Sequence, residues 1–144
     1  MKARVLVAAG LAALPHLAAA DTCADLRGLM DAARSGFADG TPAPMADAAS
    51  RCDLSSIAGG GKTYLCHWDF DYRAPEAVQA FDALHLDIRT CLSDAAPLAQ
   101  AERVNHPDTY DQHVFALDDI EISAALKDKA ALSKTLVFLR VETR

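Results

Sequence analysis

One stretch constrains this chain more than any other: T-Y-L-C-H-W-D-F-D-Y-R-A-P-E-A-V-Q-A-F-D-A-L-H-L-D-I-R-T-C-L, from Thr63 to Leu92. Tyr64, Cys66, Trp68, Phe70 and Tyr72 alternate with Thr63, Leu65, His67, Asp69 and Asp71. Leu65 is the single large apolar residue of the second set. Side chains on a strand point to opposite faces in turn, so this period of two predicts a strand with one buried face and places the only Trp in the core. Pro75 follows at a position where a helix loses nothing by lacking an N–H. Ala77, Phe81, Leu84, Ile88 and Cys91 then recur at spacings of three and four, one apolar helical stripe. Strand and helix read as a packed β-α unit with a cysteine on each inner face.

The cysteines matter because of where the chain is addressed. Met1 to Ala20 reads as a secretory leader: Lys2 and Arg4 are its charged start, Val5 to Leu14 its apolar run, and Ala18-x-Ala20 its cleavage site. The run is too short to span a bilayer, and no later stretch approaches the roughly 20 apolar residues that spanning needs. Cys23 lies beyond the first position after the cut, which argues against a lipid anchor. The expected product is a single domain from Asp21 to Arg144, periplasmic or secreted. In that compartment Cys23, Cys52, Cys66 and Cys91 predict two disulfides. Cys66–Cys91 is the preferred pair, since both face the strand–helix interface, and Cys23–Cys52 follows by elimination.

Charge narrows the partners. The chain carries a net charge of −6, and both cations of the leader leave with it, so the exported part is more acidic still. Its acids are scattered and no basic stripe exists, which disfavours nucleic acid. The G-G-G-K-T at Gly59 to Thr63 is not a phosphate loop. The first glycine of that motif would fall at Ser56, and a strand follows where a helix is required.

Elsewhere, Thr22 is placed to cap a helix with Leu26, Leu29, Met30, Ala33 and Phe37 as its inner stripe. Residues 38–49 hold two prolines and a glycine and read as a surface loop, with Cys52 at its far end and Ser55 to Lys62 as a flexible entry to the main strand. Pro97 ends the helical pattern, and Ala95 to Asp111 reads as a long connector. His113 to Leu117 and Ile120 to Leu126 are strands, a hairpin turning at Asp118-Asp119 or one bent strand. Ala130 to Ser133 suggests one helical turn. Thr135 to Val141 is apolar on both sides, as in a central strand covered at least partly on both faces. The order predicts an α+β domain: two helices on an antiparallel sheet of three to four strands.

Three groups of side chains are candidates for function. His67, Asp69 and Asp71 form the outward row of the main strand, but successive members lie about 6.5–7 Å apart, too far for three ligands to one ion. His106, Asp108, Tyr110, Asp111 and His113 gather two imidazoles and two carboxylates in eight residues, without the spacing of a known metalloenzyme motif. Lys127 and Lys129 head a basic concentration that includes Lys134, Arg140 and Arg144. His85 reads as a helix-surface residue. No serine elbow and no free thiol supply a nucleophile. The expected function is that of a small disulfide-stabilised binding protein, of inhibitor or accessory type. It would contact another envelope or extracellular protein through His67, Asp69, Asp71, His106, Asp108, His113, Lys127 and Lys129, with no catalytic role, metal or cofactor. Two other readings are a metal-binding or hydrolytic protein using His106, Asp108 and His113, and a structural envelope component.

Overall fold

The computed structural model describes residues 17–40, 42, 51–98, 103–104 and 107–143. Its elements are α1 (Leu17–Arg34), β1 (Arg51–Ser56), β2 (Lys62–Asp71), α2 (Pro75–Cys91), β3 (Ala96–Pro97), β4 (Tyr110–Leu117), β5 (Ile120–Lys129), a 3-10 turn (Ala130–Leu132) and β6 (Lys134–Thr143). All strands pair antiparallel, in one six-stranded sheet of order β1-β2-β6-β5-β4-β3. The α+β class stands, with two helices, but the sheet has six strands where three to four were expected. The extra ones are weak in sequence. β3 has two residues, and β1, R-C-D-L-S-S, has a single large apolar side chain.

The helices follow their stripes. Ala77, Phe81, Leu84, Ile88 and Cys91 are all buried on α2, as are Leu26, Leu29, Met30 and Ala33 on α1, with Phe37 just beyond it. Pro75 opens α2. Thr22 is not a cap: α1 already runs from Leu17, because the alanines before Thr22 favour helix and nothing there breaks it. Both helices pack on β5 and β6. Between them lie Val137, Leu139 and Val141 of β6 and Ile120, Ile122, Ala124 and Leu126 of β5, all buried. Each such side chain contributes roughly 1.5–3 kcal/mol by leaving water. β2 lies beside this layer rather than under its centre, so Tyr64 and Cys66 are buried while Trp68 and Phe70 are only partly so. Tyr72, expected inside, stands exposed in the turn after β2.

That lateral position overturns the expected disulfides. The bridges are Cys23–Cys91 and Cys52–Cys66. Cys66 faces its direct cross-strand partner on β1, Cα to Cα 4.1 Å, the close spacing of a non-hydrogen-bonded antiparallel pair. α2 turns away from β2 at once, so its last residue, Cys91, ends beside α1 and meets Cys23. The first bridge staples the helical layer and the second the sheet edge.

Gly59 and Gly60 supply positive φ to the β1–β2 turn, and a Cβ on Gly61 would lie 2.5 Å from the Thr143 carbonyl. The G-K-T therefore serves close backbone approach, with the Lys62 N–H donating to Thr143 Oγ1 at 3.0 Å and its Nζ to the Phe37 carbonyl at 3.2 Å. β4 and β5 form the hairpin at Asp118-Asp119, Asp118 having φ 56°. β6 is central, as its apolar pattern predicted. Only one of its faces is covered, however, by elements among the described residues.

Candidate functional site

The uncovered face is built from the alternate residues of the same strands. Reading across β2, β6, β5 and β4 in register gives Leu65, Arg140, Ser123 and Val114; then His67, Phe138, Ala125 and Gln112; then Asp69, Leu136, Lys127 and Tyr110. A last row has Asp71, Lys134 and Lys129. β1 adds Asp53 beside Leu65 and Arg51 beside His67. Leu65, Val114, Leu136 and Phe138 are half-buried. Ala125 and Ser123, short side chains in register with Phe138 and Arg140, are buried.

Two of the three groups singled out from sequence meet here. The outward row of β2 and the lysines of β5 share one face, with β6 between them. Asp69 pairs with Lys134 and lies 3.5 Å from His67 Nε2. The hydrogen bond from Lys134 holds its carboxyl below the ordinary range. Partial burial opposes that shift, and the Lys134 and His67 charges reinforce it. The His67 ring lies 6.1 Å from that of Phe138, and Lys127 Nζ sits 5.6 Å from the centre of the Tyr110 ring, within cation–π reach. Carboxylates thus line the β2 side, lysines the β5 side, and Leu136 and Phe138 stand between.

Of the third group's described residues only Tyr110 reaches this face. His106 lies outside the described residues. Asp108 accepts hydrogen bonds from the Tyr72 hydroxyl at 2.9 Å and the Ala130 N–H at 3.4 Å, which fixes the loop before β4. His113 points to the helical side. Its ring stacks on His85, centroids 3.7 Å apart and planes 9° apart, and faces Phe81 at 5.3 Å. His85 is therefore a packing residue and not the surface residue its place beside the stripe suggested. Burial, then the neighbouring His113 and Arg89, lower its pKa from 6.5; Asp82 and Asp111 oppose them. Among the described residues no three His, Cys, Asp or Glu side chains are grouped to hold a metal ion.

A second polar cluster went unseen in sequence because the strand read there ends at Leu126 and leaves Asp128 outside it. Asp128 lies on the inner face of β5, 3% exposed. It accepts from Thr135 Oγ1 at 2.6 Å, Arg73 Nε at 3.1 Å and the Thr109 N–H at 3.3 Å. Burial pushes its pKa up, and the donors from Thr135, Thr109 and Arg73 outweigh that and hold it low. Arg73, at φ 57°, also donates to the Pro107 carbonyl at 3.1 Å. The cluster ties the β2–α2 turn and the approach to β4 onto the end of β5, beside a depression of about 180 Å³. A larger depression of about 340 Å³ between α1 and the end of α2 sets Arg27 and Arg34 against Asp31 and Asp94.

No helix of the described residues is long and apolar enough to cross a membrane. No protein-family model matches the chain, and no curated protein matches it. Among solved structures, CalU16 from Micromonospora echinospora is similar at 12% identity and a TM-score of 0.32, over 67% of this chain and 70% of that one. A likeness that slight carries neither fold nor function across.

Proposed function

We propose that the protein is a small exported interaction protein that acts by contact rather than catalysis, with the uncovered sheet face as its docking surface. The observation that carries this is that, among the described residues, elements pack on only one face of the sheet. Both helices pack on one face, while the other leaves Leu65, Leu136 and Phe138 half-buried among Asp69, Asp71, Lys127 and Lys129. A half-buried apolar centre with a polar rim is the anatomy of protein interfaces, which is what favours a partner on this face. Two disulfides suit an oxidising compartment outside the cytoplasm, in keeping with the leader read at Met1 to Ala20. The partner expected on this reading is an envelope or extracellular protein, bound as an inhibitor or accessory factor would be.

The test is an affinity capture from envelope extract with the oxidised protein and with Lys127→Glu/Lys129→Glu as parallel baits. A protein retained near stoichiometrically by the wild type and lost to the variant, with the melting temperature unchanged, supports the reading. Equal retention by both baits removes this face as the docking surface. An empty capture by the folded wild type counts against contact with a stable partner altogether.

A further inference from the structure

The docking face carries its own complement, and we infer that its partner is a second copy of this chain, packed face to face about a twofold axis running along β6. The inference rests on the reading of this face as a docking surface. β6 is flanked by β2 on one side and β5 on the other. A twofold axis parallel to β6 keeps each side chain at its level along the strands and exchanges the two sides. The β2 strip of one copy then covers the β5 strip of the other. Because Asp69, Leu136 and Lys127 share one row and Asp71, Lys134 and Lys129 the next, Asp69 comes over Lys127 and Asp71 over Lys129. Both contacts are repeated by symmetry.

The residues on the axis suit this arrangement. Leu136 meets Leu136 and Phe138 meets Phe138, removing the half-buried apolar row from water. Charges that would meet their own kind there are already neutralised within each chain, Lys134 by Asp69 and Arg140 by Glu142. The other in-plane twofold, perpendicular to the strands at the level of His67, lays each strand on itself and brings Lys134 to Glu142 and Lys129 to Glu121. It leaves Asp69 and Asp71 opposite Leu65 and Thr63 and sets Leu136 against Arg140, so it matches neither the aspartates nor the apolar centre. Five strands of useful length at about 4.8 Å spacing, up to about 33 Å long, give a face of roughly 700 Å². That is close to the roughly 800 Å² per partner of a stable interface. Aligned sheet-on-sheet packing, with strand directions within about 30° of each other, fits such a pair.

The symmetry supplies a decisive experiment. Asp69→Lys/Asp71→Lys makes both strips basic, and Lys127→Glu/Lys129→Glu makes both acidic. Each variant alone sets like charges against each other at every strip contact, while a one-to-one mixture restores opposite charges at all of them. Sedimentation velocity over the micromolar to sub-millimolar range should show a wild-type dimer. Each variant alone should associate at least tenfold more weakly, and the mixture should recover wild-type association. Thermal melting of each variant confirms folding. If losing the Asp69–Lys134 pair unfolds the first variant, Asp71→Lys alone takes its place. A monomeric wild type, single variants that dimerise as well as wild type, or a mixture that stays monomeric would each overturn the inference. A monomeric wild type leaves the docking face itself to be judged by the parallel capture, where loss of a partner from Lys127→Glu/Lys129→Glu reports on heterologous binding alone.

Discussion

The two faces of this sheet are made by the same strands with the same alternation, yet they handle charge in opposite ways. On the helical face Asp128, the one buried carboxylate among the described residues, is engaged by Thr135, Arg73 and Thr109. On the other face Asp69, Lys134, Arg140 and Glu142 form half-exposed pairs around Leu136 and Phe138. An unpaired charge inside costs far more than one at the rim. The inner polar groups are therefore fixed in one arrangement, while the outer ones can exchange partners. The contrast separates a face that holds the fold from a face whose charges stay partly exposed.

The largest test of that contrast is the staple over the inner layer. Cys23–Cys91 closes a loop of 68 residues and Cys52–Cys66 one of 14. Loop-closure entropy gives about 4.4 kcal/mol for the longer and about 3.0 for the shorter. Alanine at Cys23 and Cys91 should therefore destabilise by about 1.4 kcal/mol more than alanine at Cys52 and Cys66, read by urea unfolding. The reverse order would mean that the sheet edge, and not the helical layer, is the weaker part of the fold.

Next comes a direct comparison of the two faces of β6. Leu139 is fully buried, so Leu139→Ala should cost about 2–5 kcal/mol in transfer and cavity terms. Leu136, half-buried on the open face, should cost under about 1 kcal/mol in the monomer when truncated to alanine. Urea midpoints of the two variants decide it. Comparable losses would show that the outer face is also packed, and would remove the reason for seeking a partner there.

Sequence alone carried the strong periods. The α2 stripe, the α1 stripe and the central place of β6 all rest on patterns of several large apolar residues, whereas the pattern of β4 and β5 fits a hairpin or one bent strand equally. β1 was missed because R-C-D-L-S-S has little to alternate, and it becomes a strand through pairing with β2 and the Cys52–Cys66 bridge. Missing β1 cost the disulfide pairing as well, since Cys66 then lacked its true neighbour. For the candidate face, the outward row of β2 and the lysines of β5 were both visible. That they share one face depends on β6 lying between them, which is a long-range pairing with no local signature. Which apolar side of β6 meets the helices was equally hidden, because Leu136 and Phe138 look as buried in sequence as Val137 and Leu139.

The smallest effect separates the faces by pH. His85 stacks on His113 on the helical side, and burial, with His113 and Arg89, lowers its pKa below 6.5. The unfolded chain thus binds a proton at a pH where the folded chain does not, and stability falls as the pH drops through the ordinary histidine range toward the folded value. Asp128 behaves differently. Its carboxyl is held low in the folded state, so its contribution is present at neutral pH and is lost only further down, as the pH falls through its folded value. Acid should therefore weaken the inner face in two steps, first at His85 and then at Asp128. His85→Phe keeps an aromatic ring between His113 and Phe115 but cannot take up a proton. Its stability, followed by chemical denaturation from neutral pH down to about pH 5, should decline less than that of the wild type, because no imidazole remains at that position to take up a proton in the unfolded chain. Parallel declines would remove His85 as the first acid-sensitive contact of the helical layer.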